Sequence, residues 1–477
     1  MKASAFGLRL PLAALGIASL AVFTGAGTLA HAASGTSTSI VYTANPPHVF
    51  AFAKAPAAFP FTPSQCVTSF GIACYTPQEI RTAYDVPSSL TGAGQTIVIV
   101  DAYGSPTIRQ DLATFDATFG LPDPTLNIIY PDGKPHLTNS RGSAGSNAAG
   151  WAEETSLDVE WSHAMAPGAT IDLVVAPTSY GNALNNAEQY AVSNHLGNVM
   201  SMSFGAPEAA IAGGGNNLQL QQANAIYQQA TAQGVSVFAS SGDSGASNGY
   251  ATANALFPAS DPYVTAAGGT DLFVKADTAT SSKGKGSSTG STNGTYVSEY
   301  AWNDANPSTC PFGCDYGPFG ATGGAPSSVF AAPSYQSGTG NPMRTTSDVS
   351  FNASVYTATM IYLGFLGGSN NGFYFFGGTS ESSPSWAAIT ADLDQAAGGP
   401  LGAMNPRLYQ LAAKPKTYAA DFHDVTVGTN NFPSTTSAGF AAGTGYDLPT
   451  GLGTPIVTGL INSLAPGASY SLSQPLS

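Results

Sequence analysis

Charge is what this 477-residue sequence has least of. Only 9% of its residues are Asp, Glu, Lys or Arg, against roughly 25% in an average soluble protein. The few charges are also one-sided, with 28 acids against 14 bases and a net charge of −14. A surface of that sign repels phosphate, which excludes nucleic acid as a partner. Long apolar runs are missing too: residues 10–22 form the apolar stretch near the start, and nothing in the chain reaches the ~20 residues a membrane span needs. Cysteine is limited to Cys66, Cys74, Cys310 and Cys314, so Cys310-Pro-Phe-Gly-Cys314 lacks the second ligand pair a zinc site requires. None of the six histidines has the setting of a catalytic base. His31 falls in the leader, His48 in an N-terminal arm, and His136, His195 and His423 in surface or loop sequence. His163 follows an acidic helix, where a lone histidine is more often structural.

What the sequence does have begins with that leader. Lys2 and Arg9 precede the apolar run and Ala30-His31-Ala32 follows it, the small-residue pattern at which a signal peptide is cut. Residues 1–32 are therefore expected to be removed, leaving a secreted, extracellular chain with no membrane contact. The trimmed chain keeps 12 bases against 28 acids, a net charge of −16. Export makes disulfides the default, and close spacing pairs Cys66 with Cys74 and Cys310 with Cys314 as loop staples. Acid unfolds proteins chiefly by protonating carboxylates that are better stabilised as anions when folded, and a chain with few ion pairs has little of that to lose. Sparse charge thus suits an acidic working environment, though a neutral secreted protein with a polar uncharged coat has the same composition.

The apolar fraction of 43% is enough to bury a sizeable core. Residues 33–74, rich in Pro, Ala, Ser and Thr and without periodicity, read as an extended arm. Residues 75–465 read as the compact domain and 466–477 as a tail. Thr76-Pro77-Gln78-Glu79 has the residues of a capped helix start. Strand-like runs at 97–100 (ending at Asp101), 171–176, 199–203 and 235–240 then alternate with helix-like ones at 182–194 and 217–233. That alternation predicts an α/β fold, a parallel sheet with helices on both faces and ligands at the carboxyl ends of its strands. Residues 277–295 read as a low-complexity surface loop, and there is no internal repeat.

Three short segments carry candidate chemistry. Gly377-Gly378-Thr379-Ser380 runs into a helix expected over about 383–397. Two glycines let the backbone turn sharply there, and the helix would aim its free N–H groups and positive dipole end at Ser380. The same residues also describe an ordinary Gly/Ser-rich loop. Glu154 and Asp158, four apart on a helix, share one face. Two carboxyls held close cannot both ionise easily, so one pKa rises and the pair can relay a proton; a solvated acidic face has the same spacing. Ser241-Gly242-Asp243-Ser244-Gly245 directly follows an apolar strand. As Gly-Asp-Ser-Gly it would make Ser244 a nucleophile of the chymotrypsin kind, but the third glycine and an upstream Ala-Ala-His-Cys are missing, and the pattern is α/β rather than all-β.

Taken in order, these segments resemble the sedolisins, or serine-carboxyl peptidases, which have a subtilisin-like fold and a Ser-Glu-Asp triad. The resemblance covers about residues 75–464. It is carried by Glu154 and Asp158 followed by Ala166-Pro167-Gly168-Ala169, by Ser201-Met202-Ser203-Phe204-Gly205, by residues 241–245 and 257–270, and by Gly378-Thr379-Ser380 with Pro384. It implies Ser380 as nucleophile, Glu154 as general base and then acid, Asp158 as the group that orients and tunes Glu154, and Asp243 in the oxyanion hole. Only a protonated carboxyl can donate a hydrogen bond to an oxyanion, so the implied chemistry requires low pH. His-Gly-Thr, the setting of the histidine base in subtilisins, does not occur. Asp101 stands at the kind of strand end where subtilisins keep a triad aspartate; it is given no catalytic role and is left as a relic, a supporting group or a structural cap.

Residues 422–428 and 442–447 resemble the family's calcium loop. One structural Ca2+ is implied, held by the carboxylates of Asp424 and Asp447 and the carbonyls of Val425, Gly443 and Gly445. The implied function is that of a secreted, acid-active peptidase acting as a monomer on polypeptides, with a non-catalytic exported binding protein of the same fold as the alternative. Residues 201–205 are expected to form the strand along which the peptide backbone lies. Sedolisins usually carry a large N-terminal prodomain, and here about residues 33–74 alone separate the leader from the domain. Maturation is therefore expected to proceed without a full prodomain, or with the arm or a separate chain in its place.

Overall fold

Ile97 and Ile99 enter one buried apolar cluster while Val98 and Val100 enter another, so the strand Thr96–Ala102 is covered on both faces. Side chains that alternate in direction but not in polarity are the mark of a central strand. The computed structural model describes residues 44–46, 49–54, 62–135, 143–212, 218–275, 294–305, 320–432 and 439–471. The expected signal segment 1–32, Cys310 and Cys314, and all but the last two residues of the expected 277–295 loop lie outside the described residues.

In space the main sheet runs Tyr296–Ala301, Thr265–Val274, Ser236–Ser240, Val199–Met202, Thr96–Ala102, Thr170–Ala176 and Leu126–Ile129, with Val349–Asn352 also paired to Thr265–Val274. The pairings are parallel except at Tyr296–Ala301, an antiparallel edge strand. Parallel neighbours need crossovers, and the helices Ala183–Ser193 and Leu218–Ala232 cover one face while Ser143–Met165 and Thr379–Ala397 cover the other. A second sheet, Val49–Lys54, Gly372–Gly377, Thr357–Leu363 and Ala73–Cys74 in that order, is mostly antiparallel. The α/β architecture expected from the sequence is present, with these mixed pairings added to it.

Part of the stretch that reads as an extended arm is folded. Thr62 caps the helix Pro63–Phe70 in a capping box: its hydroxyl accepts the Gln65 N–H at 3.3 Å and its own N–H donates to the Gln65 side-chain oxygen at 2.9 Å. The Cys66–Cys74 disulfide ties that helix to the strand Ala73–Cys74. Thr76 and Glu79 repeat the box at the helix Pro77–Ala83, where the sequence calls for one. From this helix, buried Arg81 donates to the carbonyls of Met165, Pro87 (3.1 Å) and Leu90 (2.9 Å). Met165 ends the helix Ser143–Met165, so the guanidinium meets the negative end of its dipole. The helix that carries Glu154 and Asp158 is thereby fixed at its far end.

Burial rather than pairing governs many of the acids. Loss of water is the first cause that pushes Glu188 up to about 8, Asp271, Glu299 and Asp392 to about 7, and Asp261 and Asp394 to about 6. Arg81 stands 3.9 Å from Asp392 and only partly offsets its burial. These groups keep their protons in the folded chain at a pH where the unfolded chain, with ordinary values of about 4, has released them. The unfolded state then binds fewer protons, so stability falls as pH rises. Their contribution is complete below about pH 4 and is lost progressively through about pH 6 to 8. The melting temperature is expected to be highest near about pH 4 and lower by on the order of 10 °C at about pH 8. Calorimetry across that range checks it, and a melting temperature that rose toward neutrality would contradict the assignment.

Candidate active site

The helix Thr379–Ala397 begins directly after Gly378, whose φ of 121° is barred to residues with a side chain. It starts four residues before the expected position at 383, so Ser380 lies inside the first turn rather than ahead of it. Pro384 misleads a reading of the sequence because proline marks first turns, whereas here it is the sixth residue of the helix. Having no N–H, Pro384 leaves the carbonyl of Ser380, four residues earlier, without its helical partner. Ser203 supplies one: its hydroxyl lies 3.2 Å from the Ser380 carbonyl and 2.6 Å from Asp158 Oδ1. One hydroxyl has one proton. An ionised Asp158 draws it, whereas a protonated Asp158 donates to Ser203 and turns that proton to the Ser380 carbonyl.

The strand Ser236–Ser240 delivers the second group. Gly242, at φ 111°, turns the chain so that its N–H donates to Thr379 Oγ1 at 3.1 Å. The Thr379 hydroxyl in turn donates to Asp243 Oδ1 at 2.7 Å, and the Thr379 N–H donates to the same oxygen at 2.8 Å. Asp243 is thus held by the residue preceding Ser380, at the positive end of the helix. Ser244, the other candidate nucleophile, is exposed where the 3-10 turn Gly245–Ser247 begins, and no base is bonded to it among the described residues.

Glu154 and Asp158 are fully buried, which rules out the solvated acidic face. Asp101, at the carboxyl end of Thr96–Ala102, is fully buried as well. Burial first, then the charges of Asp101 and Glu154, hold Asp158 well above the ordinary carboxylate range, with the Ser203 hydroxyl pulling the other way. Asp101 is raised by burial first and by Glu154 next. Thr155 lowers it, but the Thr155 hydroxyl gives its proton to the Trp151 carbonyl at 2.8 Å, and neither Asp101 oxygen receives a hydrogen bond. The structural-cap role left open for Asp101 is corrected on that ground, because a cap is bonded. Three carboxyls so arranged cannot all be ionised together, and they titrate as a group. His163 lies 3.1 Å from Asp116 and 2.8 Å from the Pro122 carbonyl, a structural role as expected. Ser203 and Thr379 were not singled out by the sequence, although a proline four residues after Ser380 already implies a carbonyl in need of a donor.

The two halves of the candidate calcium loop meet. The Gly445 N–H donates to both Asp424 oxygens at 3.1 Å, and the Gly443 N–H donates to Asp447 Oδ2 at 2.8 Å. Burial pushes Asp447 up to about 6, and the charge of Asp424 adds to that. Two carboxylates that repel one another beside glycine backbone form a donor set that suits a hard cation. No cluster of three or more His, Cys, Asp or Glu side chains arranged for a metal occurs among the described residues.

No family model matches the sequence. Individual proteins do. Over 410 residues the chain is 33% identical to kumamolisin from Bacillus sp. (strain MN-32), which takes in 83% of this chain and 65% of that one. Over 393 residues it is 31% identical to sedolisin from Pseudomonas sp. (strain 101), taking in 80% and 59%. The chain thus spans 65% and 59% of the length of these relatives. Among solved structures, Pseudomonas sedolisin, a serine-carboxyl proteinase complexed with two molecules of pseudo-iodotyrostatin, superposes with a TM-score of 0.67 at 30% identity, covering 82% of this chain and 97% of that one.

The Ser203 contact is directly testable. Ser203→Ala removes the hydrogen-bond partner of both buried Asp158 and the Ser380 carbonyl, and is expected to destabilise the chain by about 1–3 kcal/mol. Urea denaturation in acid measures this, and an unchanged midpoint would mean that the hydroxyl bonds neither group.

Proposed function

The chain belongs to the sedolisin family of serine-carboxyl peptidases, and we propose that it is an exported, monomeric enzyme that cleaves polypeptides through an acyl-enzyme on Ser380. The observation that carries this is the junction at the helix N-terminus, where Asp243 is bonded to Thr379 and Asp158 reaches Ser380 through Ser203. Ser380 Oγ attacks the scissile carbonyl carbon while Glu154 takes its proton. The carbonyl oxygen, now negative, is held by the protonated carboxyl of Asp243 and by the dipole of the helix. Collapse breaks the C–N bond as Glu154 returns the proton to the leaving amine. Water then attacks the ester with Glu154 again as base, and Ser380 is restored.

Asp158 is the residue that tunes Glu154. Held protonated by burial, it keeps a second negative charge away from the base when that base ionises. Asp243 must also be protonated to donate, so both requirements fail as pH rises. Peptide hydrolysis is expected to be fastest below about pH 5. Ser380→Ala should abolish it, and Asp243→Ala should lower kcat by about 10²–10³. Casein cleavage across acid and neutral pH checks all three; an optimum at neutrality would sink the carboxyl mechanism, and no cleavage by the unaltered chain would favour a binding protein.

The same membership supports one calcium ion on the carboxylates of Asp424 and Asp447 and the carbonyls of Val425, Gly443 and Gly445. Its chemistry would be structural, cancelling the repulsion of two half-buried acids. A chelator is expected to lower the melting temperature, since an ion bound only by the folded chain stabilises it in proportion to its occupancy. Asp447→Asn should melt lower without chelator and no longer respond to it. An unmoved melting temperature in the unaltered chain would remove the ion from the account.

A further inference from the structure

Two buried acids that the mechanism does not use, Asp271 and Asp304, meet at the hydroxyl of buried Ser354. Ser354 Oγ donates to Asp304 Oδ1 at 3.1 Å and accepts the Tyr356 N–H at 3.1 Å. Asp271 reaches the same hydroxyl, and its Oδ1 has no hydrogen-bond partner among the described residues. Asp271 lies in the strand Thr265–Val274, Asp304 just past Tyr296–Ala301 and Ser354 just past Val349–Asn352. Both of those strands pair with Thr265–Val274, so the main sheet itself brings the three side chains together.

A hydroxyl has one proton and two lone pairs. At Ser354 the proton goes to Asp304 and one lone pair takes the Tyr356 N–H, which leaves the second lone pair for a proton carried by Asp271. Asp304 is the better supplied acid, since its Oδ2 also accepts the Gly320 N–H at 3.2 Å. Burial first, then the charge of Glu299, pushes Asp271 up to about 7, with Ser354 pulling the other way. Burial first, then the charge of Asp271, holds Asp304 well above the ordinary range against the pull of Trp302, Ser354 and Gly320. Glu299, from Tyr296–Ala301, and Tyr75, just past Ala73–Cys74, are the other titratable groups facing Asp271.

Backbone bonds carry this cluster to the catalytic groups on two sides. Ala353, next to Ser354, donates its N–H to the Thr270 carbonyl at 2.9 Å, and its own carbonyl accepts the Gly378 N–H at 2.6 Å. A Cβ at Gly377 would lie 2.5 Å from that same carbonyl, so the turn into Ser380 is pressed against it. On the other side the Asp304 N–H donates to the Gly320 carbonyl at 2.9 Å, and the N–H of the next residue, Ala321, donates to the Asp243 carbonyl at 3.0 Å. We propose that Asp271, Ser354 and Asp304 form a proton-held clasp that positions the turn carrying Ser380 against the loop carrying Asp243. Asp271 and Asp304 are then positioning residues, away from the reacting atoms. This role presupposes the peptidase function and adds a second need for acid to it. Two ionised carboxylates at one hydroxyl repel one another, and Ser354 has a proton for only one of them. The Ala353 carbonyl moves with Ser354, and a displacement of about 1 Å at a reacting group costs on the order of 10²-fold in rate.

The test uses the full chain. In Ser380→Ala, which cannot process itself, the NMR resonance of the Gly378 amide is expected to show a titration step at about pH 7. Adding Asp271→Asn should remove that step, because an amide offers Ser354 a donor at every pH. The same titration of that resonance in both chains would overturn the clasp. In the active chain, assayed in acid, Ser354→Ala should lower kcat by about 10–10²-fold with KM unchanged. Asp271→Asn, the isostere of the protonated acid, should keep most of kcat there. A loss in Asp271→Asn as large as in Ser354→Ala, or a change confined to KM, would overturn the positioning role. No cleavage by the unaltered chain would overturn the peptidase function and the positioning role with it, while a step at Gly378 lost in Asp271→Asn would still support the clasp. Should Ser354→Ala fail to fold, Asp304→Asn, which removes one of the two acceptors facing Ser354 and Gly320, takes its place.

Discussion

Asp158 keeps its proton because water cannot reach it and because Asp101 and Glu154 place further negative charge beside it. Most of what is distinctive in this molecule depends on that way of holding a carboxyl. A buried acid can be made tolerable by a cation with enough donors, or by a proton. The first solution occurs at Asp348, which receives Arg344 at 2.5 and 2.7 Å, the Ala266 N–H and Tyr409 hydroxyl at 2.8 Å, and the amides of Asn405 and Gln336 at 3.1 and 3.2 Å. A chain in which 9% of residues are charged cannot build many such clusters. At Asp101, Asp158, Glu299 and Glu381 burial is the leading influence and raises the pKa. The proton serves as the counter-ion, so the pH of the medium becomes part of what holds the fold together.

The sheet was legible because its signal is local. Residues such as Ile97 to Val100 are β-branched and apolar without interruption, and the strands and crossover helices between residues 170 and 240 fall within one residue of their expected ends. The capping residues at Thr76 were legible for the same reason, since both partners lie within one helical turn. Asp101 was not. Its importance lies in a helix about fifty residues downstream in sequence, and nothing near it says that no donor will reach its oxygens. Ser203 was hidden differently, as one serine among several that strands bring together, and only a proline 181 residues away makes its hydroxyl necessary.

Pro384, the sixth residue of its helix, has no N–H to donate. Within the helix that same defect frees the Ser380 carbonyl, and Ser203 joins it to Asp158. An intact helical ladder would have satisfied the carbonyl internally and left the acid and the serine backbone unconnected. Glu154 and Asp158 lie on one helix and Ser380 on another, and Ser203 bridges Asp158 to the Ser380 backbone.

The raised pKa of Asp158 comes first from burial and next from the charges of Asp101 and Glu154. Asp101 is raised in the same order, by burial and then by Glu154. Neither acid therefore stands alone: a charge on Glu154 makes both neighbours harder to ionise. The three carboxyls then share one charge over a range of pH in which three separate carboxylates would carry three. Burial sets how far the protons are held, and proximity sets the order in which they leave.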